Sequence, residues 1–182
     1  MATLQERMIG AAMLNPATYE EVEADQTATG QAALVVVIAA ISTGLAGLRY
    51  GPSLVVWTII AALIGWAVWA GLTYLIGAKL MPEPQTSADL GQLLRVVGFA
   101  MAPGVLGILG IIPFLGVLIR FVLSVWQLAA MVVGVRQALD YSNTGRAVLV
   151  CLIGFIAQWV IMATFMAMTV GSAFLTSGAM AR

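Results

Sequence analysis

Between Arg95 and Arg146 the chain reads RVVGFAMAPGVLGILGIIPFLGVLIRFVLSVWQLAAMVVGVRQALDYSNTGR. It is apolar almost without a break until Arg136, and Gly110, Pro113 and Gly116 interrupt it near the middle. At about 1.5 Å per helical residue and about 20 residues per crossing, the run is long enough to cross a bilayer and return. Hydrocarbon offers no partner to a bare backbone N–H or C=O. The turn at Gly110 to Leu115 must therefore lie at the far membrane face or be covered by protein. The stretch is a tight transmembrane hairpin, and it places the chain among all-α polytopic membrane proteins.

Composition excludes several functions. Of 182 residues, 62% are hydrophobic and 9% charged, whereas soluble domains carry about 25% charged residues. Charges of the two signs balance, and the aromatics sit inside apolar runs, so no surface suits nucleic acid. The single cysteine, Cys151, cannot form an intrachain disulfide and reads as a small packing residue. The first thirty residues carry acids and Pro16 where a cleavable signal would carry a basic start and an apolar core. Insertion is therefore expected to use the first true span.

The chain divides into a polar, acidic segment over 1–30, a five-span domain over 31–176, and a short tail over 177–182. Within the first part, Asn15 and Pro16 form a helix-start signal, and Glu20 and Glu21 favour the positive end of the dipole. A short helix over Pro16 to Ala24 follows, with Tyr19 and Val22 on one face. It suits either an interfacial position along the membrane surface or docking against the bundle or a partner. The spans are read as Gln31 to about Leu48, about Leu54 to Ala78, a third from near Val96 carrying Pro103, about Gly116 to Val135, and about Ala147 to Leu175.

An odd number of spans places the termini on opposite sides. Arg7, Lys79, Arg95, Arg136 and Arg146 lie on the N-terminal side, against Arg49, Arg120 and Arg182 on the other. The positive-inside rule then favours a cytoplasmic N-terminus. All the acids, from Glu6 to Asp140, fall on that same side.

Leu14 to Asp25, LNPATYEEVEAD, followed by a first span, resembles the opening of the bacterial branch of the Yip1 family. The likeness continues in RVVGFAMAP (Arg95 to Pro103), in IPFLG (Ile112 to Gly116), at Trp126, and in Gly134, Arg136, Ser142 and Arg146 ahead of the last span. Better-known eukaryotic members carry an Asp-Leu-Tyr-Gly-Pro motif before the first span. Here Tyr50, Gly51 and Pro52 stand between spans one and two without the acid, and read as a local turn. The resemblance implies a five-helix protein of membrane trafficking, shaping or scaffolding, without catalytic chemistry or cofactors.

The residues agree with that reading. There is no histidine, which removes imidazole haem ligation, histidine metal sites and histidine-based triads. No Asp or Glu falls inside a span, where proton relays and cation pathways need one. Arg120, about one turn inside the fourth span, reads either as an anion or lipid-phosphate contact or as a side chain snorkelling to the interface. Gln127 and Gln158 lie deeper; they suit hydrogen bonds between helices, each worth about 1 kcal/mol, or a polar path. Pro103, followed by Gly104, Gly107 and Gly110, marks a bend or hinge. Ala163, Ala167 and Gly171 form a small-residue ridge for close helix packing, within the chain or against a second protomer.

The remaining candidates share the N-terminal side: Arg95, Arg136, Asp140 and Arg146, with Tyr141, Asn143 and Asp89. Arg136 and Asp140 are four apart and pair if the helix continues. This face is the expected place for a protein partner or lipid headgroup, unless it is an ordinary solvated rim. The chain therefore reads as a protein of a bacterial cytoplasmic membrane that works by interaction with lipid and with a protein partner or its own copies. A small oligomeric transporter or channel is the alternative, and a membrane enzyme the third possibility.

Overall fold

The computed structural model describes residues 2–48 and 51–180, except for the side chains of residue 162 and residues 165–180. Among the described residues the secondary structure is helical throughout, and five helical segments are long and apolar enough to cross a membrane. The order begins with α1 (Leu4–Ala12) and α2 (Pro16–Ala24). The apolar helices follow: α3 (Ala28–Ala46), α4 (Ser53–Thr73), α5 (Leu90–Phe99), α6 (Gly116–Ala138) and α7 (Thr144–Met180). A π-helical stretch, Tyr74–Leu80, extends α4, and a 3-10 stretch, Ala102–Ile111, follows α5.

The N-terminal segment holds two helices where the sequence reading expected one. Thr3 and Glu6 close a capping box on α1: the Glu6 N–H donates to Thr3 Oγ1 (3.3 Å) and the Thr3 N–H to Glu6 Oε2 (2.7 Å). Leu14 turns the chain at φ 61°, and Asn15 then caps α2 by accepting from the Ala17 N–H (3.1 Å), with Pro16 in the first turn. Tyr19 and Val22 do share a face, fully buried, and it packs against α5 and α6. The α1–α2 hairpin is therefore part of the bundle. Trp126, midway along α6, donates its indole N–H to the Ala12 carbonyl (2.6 Å), so the tip of the hairpin reaches the level of mid-span. Met13, at that tip, is 74% exposed.

The third span is not one helix. An α-helix continuing through Pro103 would need an N–H that proline lacks and would press its ring on the Phe99 carbonyl. α5 accordingly ends at Phe99, and the chain crosses the remaining distance as the 3-10 stretch. Small residues let α3 lie directly against it: a Cβ on Gly98 would strike Ala32 at 2.7 Å, and one on Gly107 would strike Thr43 Oγ1 at 2.7 Å. Ser42 on α3 then bridges two backbone groups, donating to the Val105 carbonyl (2.5 Å) and accepting from the Ile108 N–H (2.8 Å). The expected turn spans Ile112 to Leu115, with Phe114 at φ 63° and fully exposed, as suits an apolar side chain at a lipid-facing end.

The other helix ends are set by local chemistry. At the C-terminus of α6 the Tyr141 N–H reaches the Arg136 carbonyl (2.9 Å) and the Asp140 N–H the Gln137 carbonyl (2.8 Å), with Asp140 at φ 52°. This is the paired-bond helix stop in which one residue turns left-handed. In the π-helical stretch the Tyr141 hydroxyl lies between the carbonyls of Gly77 (2.9 Å) and Met81 (2.8 Å), to which it donates. α7 has 37 residues, or about 55 Å, well beyond the ~30 Å of a hydrocarbon core. It continues past the Leu175 limit read from sequence.

Ser42→Ala leaves one N–H and one carbonyl of the 3-10 stretch without a side-chain partner in an apolar setting. The expected loss is about 1–2 kcal/mol. It is read as a lowered thermal midpoint in detergent micelles or nanodiscs.

Candidate interaction surfaces and an intramembrane cleft

The polar end of the bundle is assembled around two buried arginines. Arg7, on α1, is 2% exposed. Its guanidinium donates to Glu21 Oε1 through Nη2 (3.0 Å) and Nε (3.3 Å), to Asp25 Oδ2 (2.7 Å), and to Gln31 Oε1 on α3 (2.9 Å). Burial works against the Arg7 charge, and the hydrogen bonds to Asp25 and Glu21 outweigh it, so the charged form is favoured overall. On the other side of the pair, hydrogen bonds from Thr27 and then from Arg7 lower the Asp25 carboxyl to about 2. One residue thus ties α1, α2 and α3 together.

Arg95, expected on a docking face, is 5% exposed and turned inward. Its Nε donates to the carbonyls of Val22 (3.0 Å) and Glu23 (3.1 Å), and Nη2 also bonds Glu23 O. These are carbonyls of the last turn of α2, so a cation meets the negative end of the helix dipole. Arg95 is therefore unavailable to a partner while the hairpin is docked. It meets the acidic helix through backbone, not through its carboxylates.

The expected Arg136–Asp140 pair does not form. The helix ends at Ala138 and Asp140 takes a left-handed conformation, which breaks the four-residue geometry the pair requires. Arg136 folds back on its own turn, toward the carbonyls of Tyr141 (3.3 Å) and Ser142 (3.4 Å). Arg146 instead pairs with Glu83 (3.4 Å) and lies over the Tyr141 ring, 5.7 Å from its centroid. Glu83 also accepts from the Ser142 N–H (3.0 Å) and hydroxyl (2.9 Å), and these bonds hold its carboxyl below the usual range. Thr86 donates to the Leu139 carbonyl (2.8 Å), which fastens the long polar loop to the α6–α7 turn.

What stays outward on this end is mostly acidic: Glu20, Glu21, Asp89 and Asp140 are exposed, against an exposed Lys79 that lies over the Tyr74 ring. Glu20 accepts from Gln137 (2.7 Å). Half-buried Glu23 lies in the same field. Burial, then Asp140, push its carboxyl up from the ordinary 4.5 to about 7, with Arg95 opposing.

At the other end Arg120 is exposed and lies along the turn, its stem near Gly110. It borders a small recess of about 250 Å³ with Pro113 and Phe114, and among the described residues it has no ion pair. Pro103 is buried where α5 gives way to the 3-10 stretch. Ala163 is exposed beside Trp159 and Val160; the side chains of Ala167 and Gly171 lie outside the described residues, as do Arg49 and Tyr50.

Gln127 and Gln158 meet at one cleft of about 330 Å³ between α4, α6 and α7. The Gln127 amide donates to Met101 Sδ, where the third span changes from α to 3-10. Trp66, on the same cleft, donates to the Leu94 carbonyl (2.8 Å). Gln158 Oε1 and Trp69 Nε1 are fully shielded and have no partner among the described residues. The sequence reading gave no site role to Glu23 or Trp69, counted Arg7 only toward orientation, and used Trp126 only for the family likeness. The Thr3-to-Glu6 spacing signals α1, but nothing local signals that Arg7 faces residues 14 and 18 positions away. Among the described residues no group of His, Cys, Asp or Glu has the geometry to hold a metal ion.

Arg7→Met leaves Glu21 and Asp25 unpaired. Because Glu21 is 40% exposed, the expected cost falls below the ~3–5 kcal/mol of a fully buried broken pair, at about 2 kcal/mol. It should appear as accelerated hydrogen exchange over α1 and α2, with the five long helices still protected. Glu23 has a raised pKa when docked, so docking favours its protonated form. The Glu23 contribution to docking is then fully present below about pH 4.5 and is lost as pH rises to about 7. Glu23→Gln removes that dependence, measured as exchange protection of α2 across the same pH range.

No curated protein and no solved structure matches the chain. A family model does: the Yip1 domain aligns with residues 11–165, from the end of α1 well into α7. That match covers most of the chain, and the protein belongs to the Yip1 domain family.

Proposed function

We propose that this Yip1-domain protein is non-catalytic and acts by interaction, organising membrane or scaffolding a larger membrane complex. The setting we assign is a bacterial cytoplasmic membrane, with the N-terminus on the cytoplasmic side and the C-terminus opposite. The observation that carries the reading is the docked α1–α2 hairpin. Arg7 of the hairpin and Arg95 of α5 are used in holding it to the bundle, while Glu20, Glu21, Asp89 and Asp140 stay exposed around it. Held by buried hydrogen bonds, that acidic end is a rigid platform, a surface that matches a partner with basic groups.

The same hairpin supports a role toward lipid. Its apolar tip, with Ile9 and Met13 exposed, stands beside α6 at mid-span, on one side of the bundle only. A wedge of that kind adds volume to a single leaflet. Arg120 at the opposite end supplies a cation near lipid-phosphate level. A second reading, a small oligomeric transporter or channel, draws on Gln127 and Gln158 lining one cleft. It predicts solute flux in reconstituted vesicles that Gln127→Leu or Gln158→Leu abolishes.

Purification at native expression level in lipid nanodiscs, followed by intact-complex mass determination, tests the first reading. A heteromeric complex that Glu20→Gln/Asp140→Asn weakens about tenfold is the expected result. A protein with no stable chain or lipid attached, carrying flux instead, would overturn it.

A further inference from the structure

The α1–α2 hairpin turns where a turn is costly. Trp126, whose indole bonds the Ala12 carbonyl, is the eleventh of the 23 residues of α6, so the turn over Ala12 to Pro16 stands within the apolar height of the bundle. Its N–H groups are paired: Met13 to the Ile9 carbonyl (2.8 Å), Leu14 to Ala11 (3.0 Å) and Asn15 to Gly10 (3.0 Å). Among the described residues, however, nothing donates to the Met13 or Leu14 carbonyl, and nothing accepts from the Asn15 side-chain amide. Asn15, Pro16 and Ala17 are exposed, and so are Glu6 on α1 and Glu20 on α2. Lipid tails satisfy none of these groups. Lifting the bundle until the turn met bulk water is no remedy, because exposed Leu128 on α6 and Val148, Leu149 and Leu152 on α7 would leave the hydrocarbon with it. Nor is a bilayer that is thin all round, because Ser53–Leu80 runs 28 residues, about 42 Å, with Val56, Ile60, Ile64 and Leu75 exposed.

We propose that the hairpin holds open a hydrated notch in the leaflet on its side of the membrane, into which water and the headgroups of ammonium-bearing phospholipids sink to the level of Asn15. Water donates to the open Met13 and Leu14 carbonyls and accepts from the Asn15 amide. An ammonium headgroup matches the outward carboxylates of Glu6 and Glu20. A second copy of the chain fits the hairpin poorly. On that end it offers Lys79 as an exposed cation, while Arg136 is bonded to the carbonyls of its own turn and Arg146 to Glu83. The notch is one-sided, because the hairpin packs on α5 and α6. A leaflet thins locally where a protein presents polar groups below the headgroup level, and a headgroup crossing the bilayer then meets a shorter hydrocarbon path on this flank than elsewhere. The notch rests on the lipid-facing role of the hairpin, which places it in the leaflet, and adds what the leaflet does around it.

The test is cysteine accessibility of the full-length protein, purified alone in nanodiscs of phosphatidylcholine and phosphatidylethanolamine, toward a charged maleimide that does not enter hydrocarbon. Cys151, which is buried, is first replaced by alanine. Ala17→Cys reports on the hairpin, and Pro16→Cys repeats the measurement so that it does not depend on one variant folding. Val125→Cys reports on α6 at the same level, beside Trp126, where the side chain is 53% exposed. A thiol among lipid tails neither meets the reagent nor ionises to the thiolate that reacts with it. With each rate taken relative to the same variant in sodium dodecyl sulfate, Ala17→Cys and Pro16→Cys are expected to react at least tenfold faster than Val125→Cys. Equally slow reaction at all three positions would mean a hairpin covered by tails or protein, and overturns the notch while leaving the hairpin in the leaflet. Equally fast reaction at all three would place the hairpin outside the leaflet, and overturns both the notch and the lipid-facing role.

Discussion

Inside hydrocarbon every backbone N–H and C=O needs a partner from the chain itself, and most of this structure follows from how that demand is met at one place. Pro103 and its following glycines cannot sustain an α-helix through the third span. The 3-10 stretch that replaces it needs a neighbour close enough to supply hydrogen bonds, and α3 does so through Ser42. Close approach in turn requires Gly98 and Gly107, whose missing side chains let Ala32 and Thr43 lie against backbone. The third span and α3 are therefore the most enclosed of the long helices. α4, α6 and α7 surround them with larger lipid-facing areas.

The break has a second consequence. It brings Met101 to the junction where Gln127 reaches across from α6, and it leaves space on both sides of that contact. An unbroken helix would be expected to close the space and leave no reason for polar groups at mid-bilayer. The cleft, the bent span and the two glutamines are thus one arrangement.

The N-terminal hairpin follows a different rule. Its helices are short, and helices of their length are marginal in isolation. They persist because Arg7 and Arg95 convert them into part of the bundle, one through carboxylates and one through the carbonyls that end α2. Trp126 and Tyr19 add bonds at the tip, to Ala12 and Ala11. The arginines that an orientation count assigns to a solvated rim are structural here. The exposed charge left on that end is mostly acidic, and so is the surface on which a partner would act.

Hydropathy and local capping rules determined the five spans, the all-α class, the helix at Pro16 to Ala24 with its Tyr19–Val22 face, and the turn near Pro113. These properties depend on residues within one or two helical turns of each other, and so can be read along the chain. The absence of histidine and of acids within the spans likewise constrained the chemistry without any coordinates. Only the tertiary structure decided that Arg95 turns to Val22 and Glu23 and that Arg7 gathers three helices. It also decided that Asp140 leaves Arg136, and that Trp69 and Gln158 face one cleft. Those outcomes turn on side-chain direction and on contacts between residues tens of positions apart, where a single register shift changes the partner. A bilayer sharpens the distinction, because residues that pack against protein and residues that face lipid are drawn from the same apolar alphabet.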